Sequence, residues 1–307
     1  LTICLLFHNL GLLFVTQRRR ENVMKMENII ALGALICSSV MGLSDFSPDT
    51  AKQPQSQMAD EKENLDISLS DRVNPEMIWV VPGIFMMGTP NQDKDSVEIQ
   101  HQVTLTRGFW LGKYEVTQAQ YQTVMGINLS HFKGDNLPVE NVSWNDATNF
   151  CAKLTEIEKA AGRLPEGYKY TLPTEAQWEY ACRAGTSTEL NSGKNLTDWT
   201  ECPNVDELGW YGCNSNKQTH PVGQKKPNAW GFYDMSGNVW EWCLDWYEKY
   251  SPEAVTDPTG PANGAYRVLR GGGWYNNACI CRSAYRYNRN PSRYYSNIGF
   301  RVVLTQI

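Results

Sequence analysis

The chain has 307 residues, a formal net charge of −5, and 41% apolar and 20% charged residues. That length allows one large domain or two small ones. The apolar share excludes a wholly disordered chain, and the acidity excludes a globally basic nucleic-acid binder. With 11 Trp, 15 Tyr and 24 Gly the composition is unlike that of a helical bundle or coiled coil. The four histidines, His8, His101, His131 and His220, form no HxxxH pair, which argues against a His-based zinc or iron site.

The sequence opens on Leu1, and residues 1–15 are apolar but short for a membrane span. A better-formed export signal starts at Met24: Lys25 supplies a positive charge, residues 29–36 are apolar, and Cys37 follows. Residues 1–42 are expected to be an upstream and signal segment. Cys37 stands where a bacterial lipoprotein carries its lipidated cysteine. Simple cleavage after Gly42 is the alternative, because Ile36 is larger than the residue such a lipoprotein site prefers. Residues 43–75, rich in Pro, Gln, Asp and Lys, are expected to be a flexible linker. The folded domain is expected over 76–307.

Met77-Ile78-Trp79-Val80-Val81, closed by Pro82-Gly83 and followed by Phe85-Met86-Met87-Gly88, predicts a hairpin. Val103-Thr104-Leu105 and Phe109-Trp110-Leu111 predict further strands. Three helices carry capping-box signals: Thr117 with Gln120, Ser143 with Asp146, and Thr174 with Gln177. The first presents Tyr121 and Val124 on one face. The second repeats Ala147, Phe150, Cys151, Leu154 and Ile157 before Gly162, and the third lines up Trp178, Ala181 and Cys182 before Gly185. Beyond Gly185 come loops, turns and short strands, so the class is α+β with much irregular structure.

Specific motifs then follow in order. They are Gly112-Lys113-Tyr114-Glu115-Val116-Thr117, Pro138-Val139-Glu140-Asn141-Val142-Ser143-Trp144 and Leu172-Pro173-Thr174-Glu175-Ala176-Gln177-Trp178-Glu179-Tyr180-Ala181. After them come Gly231-Phe232-Tyr233-Asp234-Met235-Ser236-Gly237-Asn238-Val239-Trp240-Glu241-Trp242, then Arg270-Gly271-Gly272-Gly273-Trp274 and Asn297-Ile298-Gly299-Phe300-Arg301. Over roughly residues 77–303 the chain resembles the formylglycine-generating-enzyme (sulfatase-modifying factor) family. The resemblance implies a C-type-lectin-like fold, but not an activity, because the family includes non-enzymes.

The family's oxidases carry two reactive cysteines spaced Cys-x4-Cys shortly after a Gly-Gly-Ser turn, and use copper. Here the turn is Gly271-Gly272-Gly273 and the cysteines are Cys279 and Cys281. No catalytic residue and no copper are therefore expected, although a non-canonical oxidase or sulfatase-modifying factor is the alternative. Cys151, Cys182 and Cys243 are expected to be buried thiols. Cys202 and Cys213 suit a disulfide in an exported protein, with the pairing left open. Asp234, Gly237, Val239 and Glu241 fall where the resemblance places calcium ligands, two carboxylates and two main-chain carbonyls, and imply a structural calcium ion. Capping of the turn by Asp234 and Glu241 is the alternative. Asn204 and Val205 match a second family site only in part.

From Pro261 to Arg301 there is no Asp, Glu or Lys. Tyrosine, asparagine, serine and arginine are interleaved instead, the residues from which antibody paratopes are built. The segment resembles the variable region of proteins diversified by retroelements, in which asparagine codons (AAC) are favoured targets. Tyr275, Cys279, Ile280, Arg293, Tyr294, Tyr295 and Ser296 are all reachable from AAC by changes in its first two bases. The expected ligand-binding residues are Trp274, Tyr275, Asn276, Asn277, Cys279, Ile280, Tyr285, Tyr287, Asn288, Arg293, Tyr294, Tyr295 and Ser296, within a variable region of about 270–301. Tyr275, Asn276, Asn277, Cys279, Ile280, Tyr287 and the 293–296 cluster are expected to form one solvent-facing patch over buried Trp274, Ile298 and Phe300. This reading makes the chain an exported, surface-displayed monomer that binds an unknown protein or surface ligand. No nucleic-acid partner is expected, and membrane contact only through an N-terminal lipid anchor.

Overall fold

A computed structural model describes residues 75–90 and 96–307. The expected signal segment and, but for Pro75, the expected linker lie outside the described residues.

The strands are β1 Met77–Val80, β2 Gly83–Met87, β3 His101–Leu105, β4 Phe109–Gly112, β5 Tyr168–Thr171, β6 Trp240–Trp246, β7 Val255–Thr256, β8 Arg267–Arg270, β9 Tyr287–Arg289, β10 Ile298–Gly299 and β11 Val303–Gln306. They form three small sheets with orders β1-β4-β11-β5, β10-β6-β8-β9 and β2-β3-β7. The expected hairpin is not one. β1 pairs with β4, and β2 pairs with β3. Val81-Pro82 separates β1 from β2, and Gly83 passes so close to the Tyr180 hydroxyl that a Cβ there has no room. The chain is thereby carried into a second sheet instead of folding back.

The helices are α1 Gln118–Met125, α2 Trp144–Ala160, α3 Glu175–Arg183 and the single turn α4 Pro203–Asp206. Thr117, Ser143 and Thr174 form complete capping boxes with Gln120, Asp146 and Gln177, so each side chain satisfies an otherwise orphaned helix donor. Tyr121 and Val124 are buried on α1; Ala147, Phe150, Cys151 and Leu154 on α2; Trp178, Ala181 and Cys182 on α3. Ile157, expected on the same stripe, is half-buried at the end of α2. The core gathers around Tyr121, Phe150, Trp242 and Phe300 on one side and Phe109, Trp178 and Phe232 on the other. A smaller cluster around Leu190, Cys202, Tyr211 and Cys281 supports the loops.

Candidate ligand-binding face

After β8 the chain turns at Gly271 (φ 93°) and Gly272 (φ 77°). Both conformations favour glycine. A Cβ at Gly272 would also approach Cys281 Sγ at 2.9 Å. The turn delivers Trp274 and Tyr275 to the surface. Tyr275 is 55% exposed, and a second cluster carries Tyr294 at 63% and Tyr295 at 41%. Asn277 and Arg293 are exposed too. The two clusters meet through Trp274, whose Nε1 donates to Ser296 O at 2.9 Å and whose ring lies 5.4 Å from that of Tyr275.

Cys279, Ile280, Tyr285, Tyr287, Asn288 and Ser296 are half-buried. The rings of Tyr285 and Tyr287 lie 6.0 Å and 5.4 Å from Trp240, and both residues pack against the core. Ile298 and Phe300 are buried as expected.

Two placements differ from expectation. Asn276 is buried: its Oδ1 accepts from Gly273 N at 3.0 Å and its main-chain oxygen accepts from Gly212 N at 2.7 Å. It holds the glycine turn and does not belong to the solvent-facing patch. Trp274 is half-buried, not buried: the rings of Phe132, edge-on at 5.5 Å, and Tyr275, at 5.4 Å, cover it only in part.

Most arginines in the expected display segment are anchors. Arg286 makes a two-pronged bond to Glu175, 2.6 Å on each oxygen. Arg270 pairs with Glu179 and donates to the main-chain oxygens of Ser283, Ala284 and Tyr285. Arg301 grips Glu241 at 2.6 Å and 2.7 Å, and Arg282 reaches Glu98. A buried guanidinium is tolerated only where its donors are matched in this way. The same segment therefore alternates buried anchors with exposed aromatic rings.

Sequence reasoning missed the neighbours of the face. Phe132 packs on Trp274. Asn141 joins two loops, donating from N to Tyr295 O at 3.0 Å and from Nδ2 to Leu129 O at 3.4 Å. Cys279 N donates to Trp199 O at 3.0 Å. Apart from the Asn141–Leu129 bond, these contacts cross 80 residues or more, and neither periodicity nor a local motif announces them.

The seven cysteines among the described residues are free thiols in the structure. Cys202 Sγ accepts from Thr197 N at 3.4 Å, while Cys213 Sγ donates to Thr200 O, so the pair expected to bridge is directed to separate partners. Cys151, Cys182 and Cys243 are buried, and burial pushes the Cys182 thiol up to about 11. Five residues beyond Cys279 stands Ala284, and five beyond Cys281 stands Arg286, so neither thiol has a Cys-x4-Cys partner. Burial also holds the Cys281 thiol protonated.

Beneath the face, Asp234, Glu115 and Glu241 surround Arg301, all of them buried. Three carboxylates against one guanidinium leave excess negative charge. Burial raises the carboxyl of Glu115 well above its usual range and that of Asp234 to about 6, with mutual repulsion contributing. Asp234 Oδ2 accepts from Gly223 N, but its buried Oδ1 has no partner. Glu241 already serves Arg301 and Trp178 Nε1. An all-oxygen donor set, an orphaned oxygen and surplus negative charge suit a hard divalent cation. Among the described residues no group of three or more His, Cys, Asp or Glu side chains is arranged to hold a metal. At the partial second match, Asn204 Nδ2 is spent on Asn195 O and Val205 is buried.

Residues 65–306 match the sulfatase-modifying factor enzyme 1-like domain. The chain belongs to this family. It is 32% identical to variable protein 1 of Treponema denticola, whose solved structure superposes with a TM-score of 0.66 over 74% of this chain and 94% of that one. PvdO from Pseudomonas aeruginosa superposes with a TM-score of 0.63 at 26% identity, over 76% and 95%. Chaperone protein LppX of Paenibacillus barcinonensis is 32% identical over 75% of this chain and 90% of its own. The formylglycine-generating enzyme of Mus musculus is 34% identical over 66% of this chain, and the match spans 52% of that enzyme's length. The family thus contains both an enzyme and a variable protein among the relatives of this chain. Among the described residues no helix is long and apolar enough to cross a membrane.

Proposed function

We propose that this domain is the ligand-binding head of an exported, surface-displayed protein, and that a retroelement diversifies its segment of about 270–301. The observation that carries the reading is the division of labour within that segment. Arg270, Asn276, Arg286, Ile298, Phe300 and Arg301 are buried and bonded, while Tyr275, Asn277, Arg293, Tyr294 and Tyr295 face solvent. Such a segment tolerates change at its exposed positions without loss of its frame, since surface substitutions seldom cost more than about 0.5 kcal/mol. The kinship with variable protein 1 of Treponema denticola points the same way. A lipid anchor at Cys37 would tether the head to a membrane.

The oxidase alternative has less support, because a thiolate pair is its chemical requirement and the Cys-x4-Cys spacing is missing. Conversion of a sulfatase-motif cysteine peptide to formylglycine by the copper-treated protein, lost in Cys279→Ser, would revive it. A structural calcium ion is also proposed, held by Asp234, Glu241 and the main-chain carbonyls of Gly237 and Val239. Its support is the orphaned Asp234 Oδ1 and the surplus buried charge.

The display reading is tested on the DNA beside the gene. A near-identical template repeat of the gene's last hundred or so bases, together with a reverse-transcriptase gene, is the expected finding. The absence of both refutes diversification.

A further inference from the structure

Trp199 is the most exposed large aromatic side chain among the described residues, at 68%. It lies more than seventy residues before the segment expected to vary. Its main-chain oxygen nevertheless accepts from Cys279 N at 3.0 Å, and the next residue, Thr200, accepts from Ala278 N at 3.2 Å. Five aromatic residues are strongly exposed among the described residues, namely Trp199, Tyr266, Tyr275, Tyr294 and Tyr295. Four of them therefore belong to the segments joined at this face. On the far side Leu129, 42% exposed, is tied through Asn141 to Tyr295.

We infer that the Trp199 loop is a fixed wall of the binding face, and that the composite surface fits a folded protein partner. The inference rests on the display reading and extends it to residues outside the varied segment. The loop is suited to the task. Asp198 Oδ1 accepts from Thr200 N at 2.7 Å and from Glu201 N at 3.0 Å, and Cys202 N donates to Tyr211 Oη at 2.9 Å. The indole is thus presented on a short turn pinned at both ends, and an aromatic anchor held in place loses little entropy on binding.

Shape and charge indicate the class of partner. Two cavities among the described residues, of about 490 and 550 Å³, are lined by other residues, among them His101, Tyr250 and Leu105, and by none of these exposed rings. The rings stand on an open surface, as protein interfaces require, and not in the concave pocket a small ligand needs. Exposed Arg293 lies in the 293–296 cluster, while Asp198 and Glu201 are exposed in the Trp199 loop. The two main-chain donors on Asp198 hold its carboxyl below the usual range, which keeps it ionised. A complementary protein surface carries a carboxylate opposite Arg293 and a basic side chain opposite Asp198 and Glu201.

The test uses synthetic single-domain antibodies selected on the immobilised full chain, a probe that samples whichever surface binds protein best. Their affinities are then measured for Trp199→Ala, for the double variant Tyr294→Ser/Tyr295→Ser, and for Ile84→Ser on β2 as a remote control, each first shown to melt like the parent. The expected result is mutual competition among most binders, at least a tenfold loss with both Trp199→Ala and the tyrosine pair, and no change with Ile84→Ser. Loss with the tyrosine pair alone overturns the fixed wall and leaves the display reading standing. Binders indifferent to both variants overturn the face itself.

Discussion

Trp274 Nε1 donates to the main-chain oxygen of Ser296 at 2.9 Å, a bond that spans 22 residues and ties the two exposed clusters into one surface. The half-buried indole does this while its ring also contacts those of Phe132 and Tyr275. Trp274→Phe keeps most of the ring and removes the donor. The expected result is a stability loss of about 1 kcal/mol, the net worth of one such bond, with faster amide exchange across 295–298. An unchanged exchange pattern would show that the two clusters are positioned independently.

Arg286 and Arg293 are seven positions apart and play opposite parts. Arg286 is buried against Glu175, so Arg286→Met strands a buried carboxylate and is expected to cost about 3–5 kcal/mol. Arg293 is exposed, so Arg293→Met is expected to stay within about 0.5 kcal/mol of the parent. Denaturant unfolding of both variants checks the contrast.

Much of the helical frame is legible in the sequence because its signals are local. Thr117, Ser143 and Thr174 find their partners three residues away, and the apolar stripe of α2 repeats at three and four. Strand pairing is not local. The break at Val81-Pro82 looks like a hairpin until Tyr180, nearly a hundred residues later, closes over Gly83. The candidate site divides in the same way. Composition located the exposed tyrosines, since an exposed ring needs no distant partner. It also read Asn276 as part of the patch, because a structural asparagine and a displayed one have the same side chain and only the Gly273 and Gly212 contacts separate them. Arg270 and Arg286 stand among the interleaved tyrosines and asparagines, and only Glu179 and Glu175 beside them fix their part as anchors.

Glu140 is buried, accepts from Phe132 N at 2.8 Å through Oε1, and has no partner on Oε2. Burial pushes its carboxyl up from 4.5 to about 7. Between those values the folded protein keeps a proton that the unfolded chain has released, so stability falls as pH rises through that window and levels off above it. The contribution is on the order of 3 kcal/mol. Glu140→Gln is expected to flatten this part of the profile, leaving the slopes from Asp245, whose carboxyl burial raises to about 7, and from the raised carboxyls of Asp234 and Glu115. Melting temperatures between pH 4.5 and 8 check the change; an identical profile in the variant contradicts it.

If the proposed calcium ion is held at Asp234 and Glu241, binding to the folded state alone would stabilise it by linkage, about 2.7 kcal/mol at a hundredfold excess over Kd. Removing it with a chelator is expected to lower the melting temperature, and Asp234→Ala is expected to abolish the difference between chelated and calcium-loaded samples. Superimposable melting curves with chelator and with excess calcium would count against the ion.

Sequencing the 3′ end of this gene in many independently passaged lineages of its host tests the central claim most directly. Diversified display predicts replacements concentrated at the exposed codons 275, 277 and 293–295, with codons 270, 276, 286, 298, 300 and 301 unchanged, because those side chains hold the frame. An equal scatter of changes along the gene, or the same sequence in every lineage that carries an active reverse transcriptase, would contradict it.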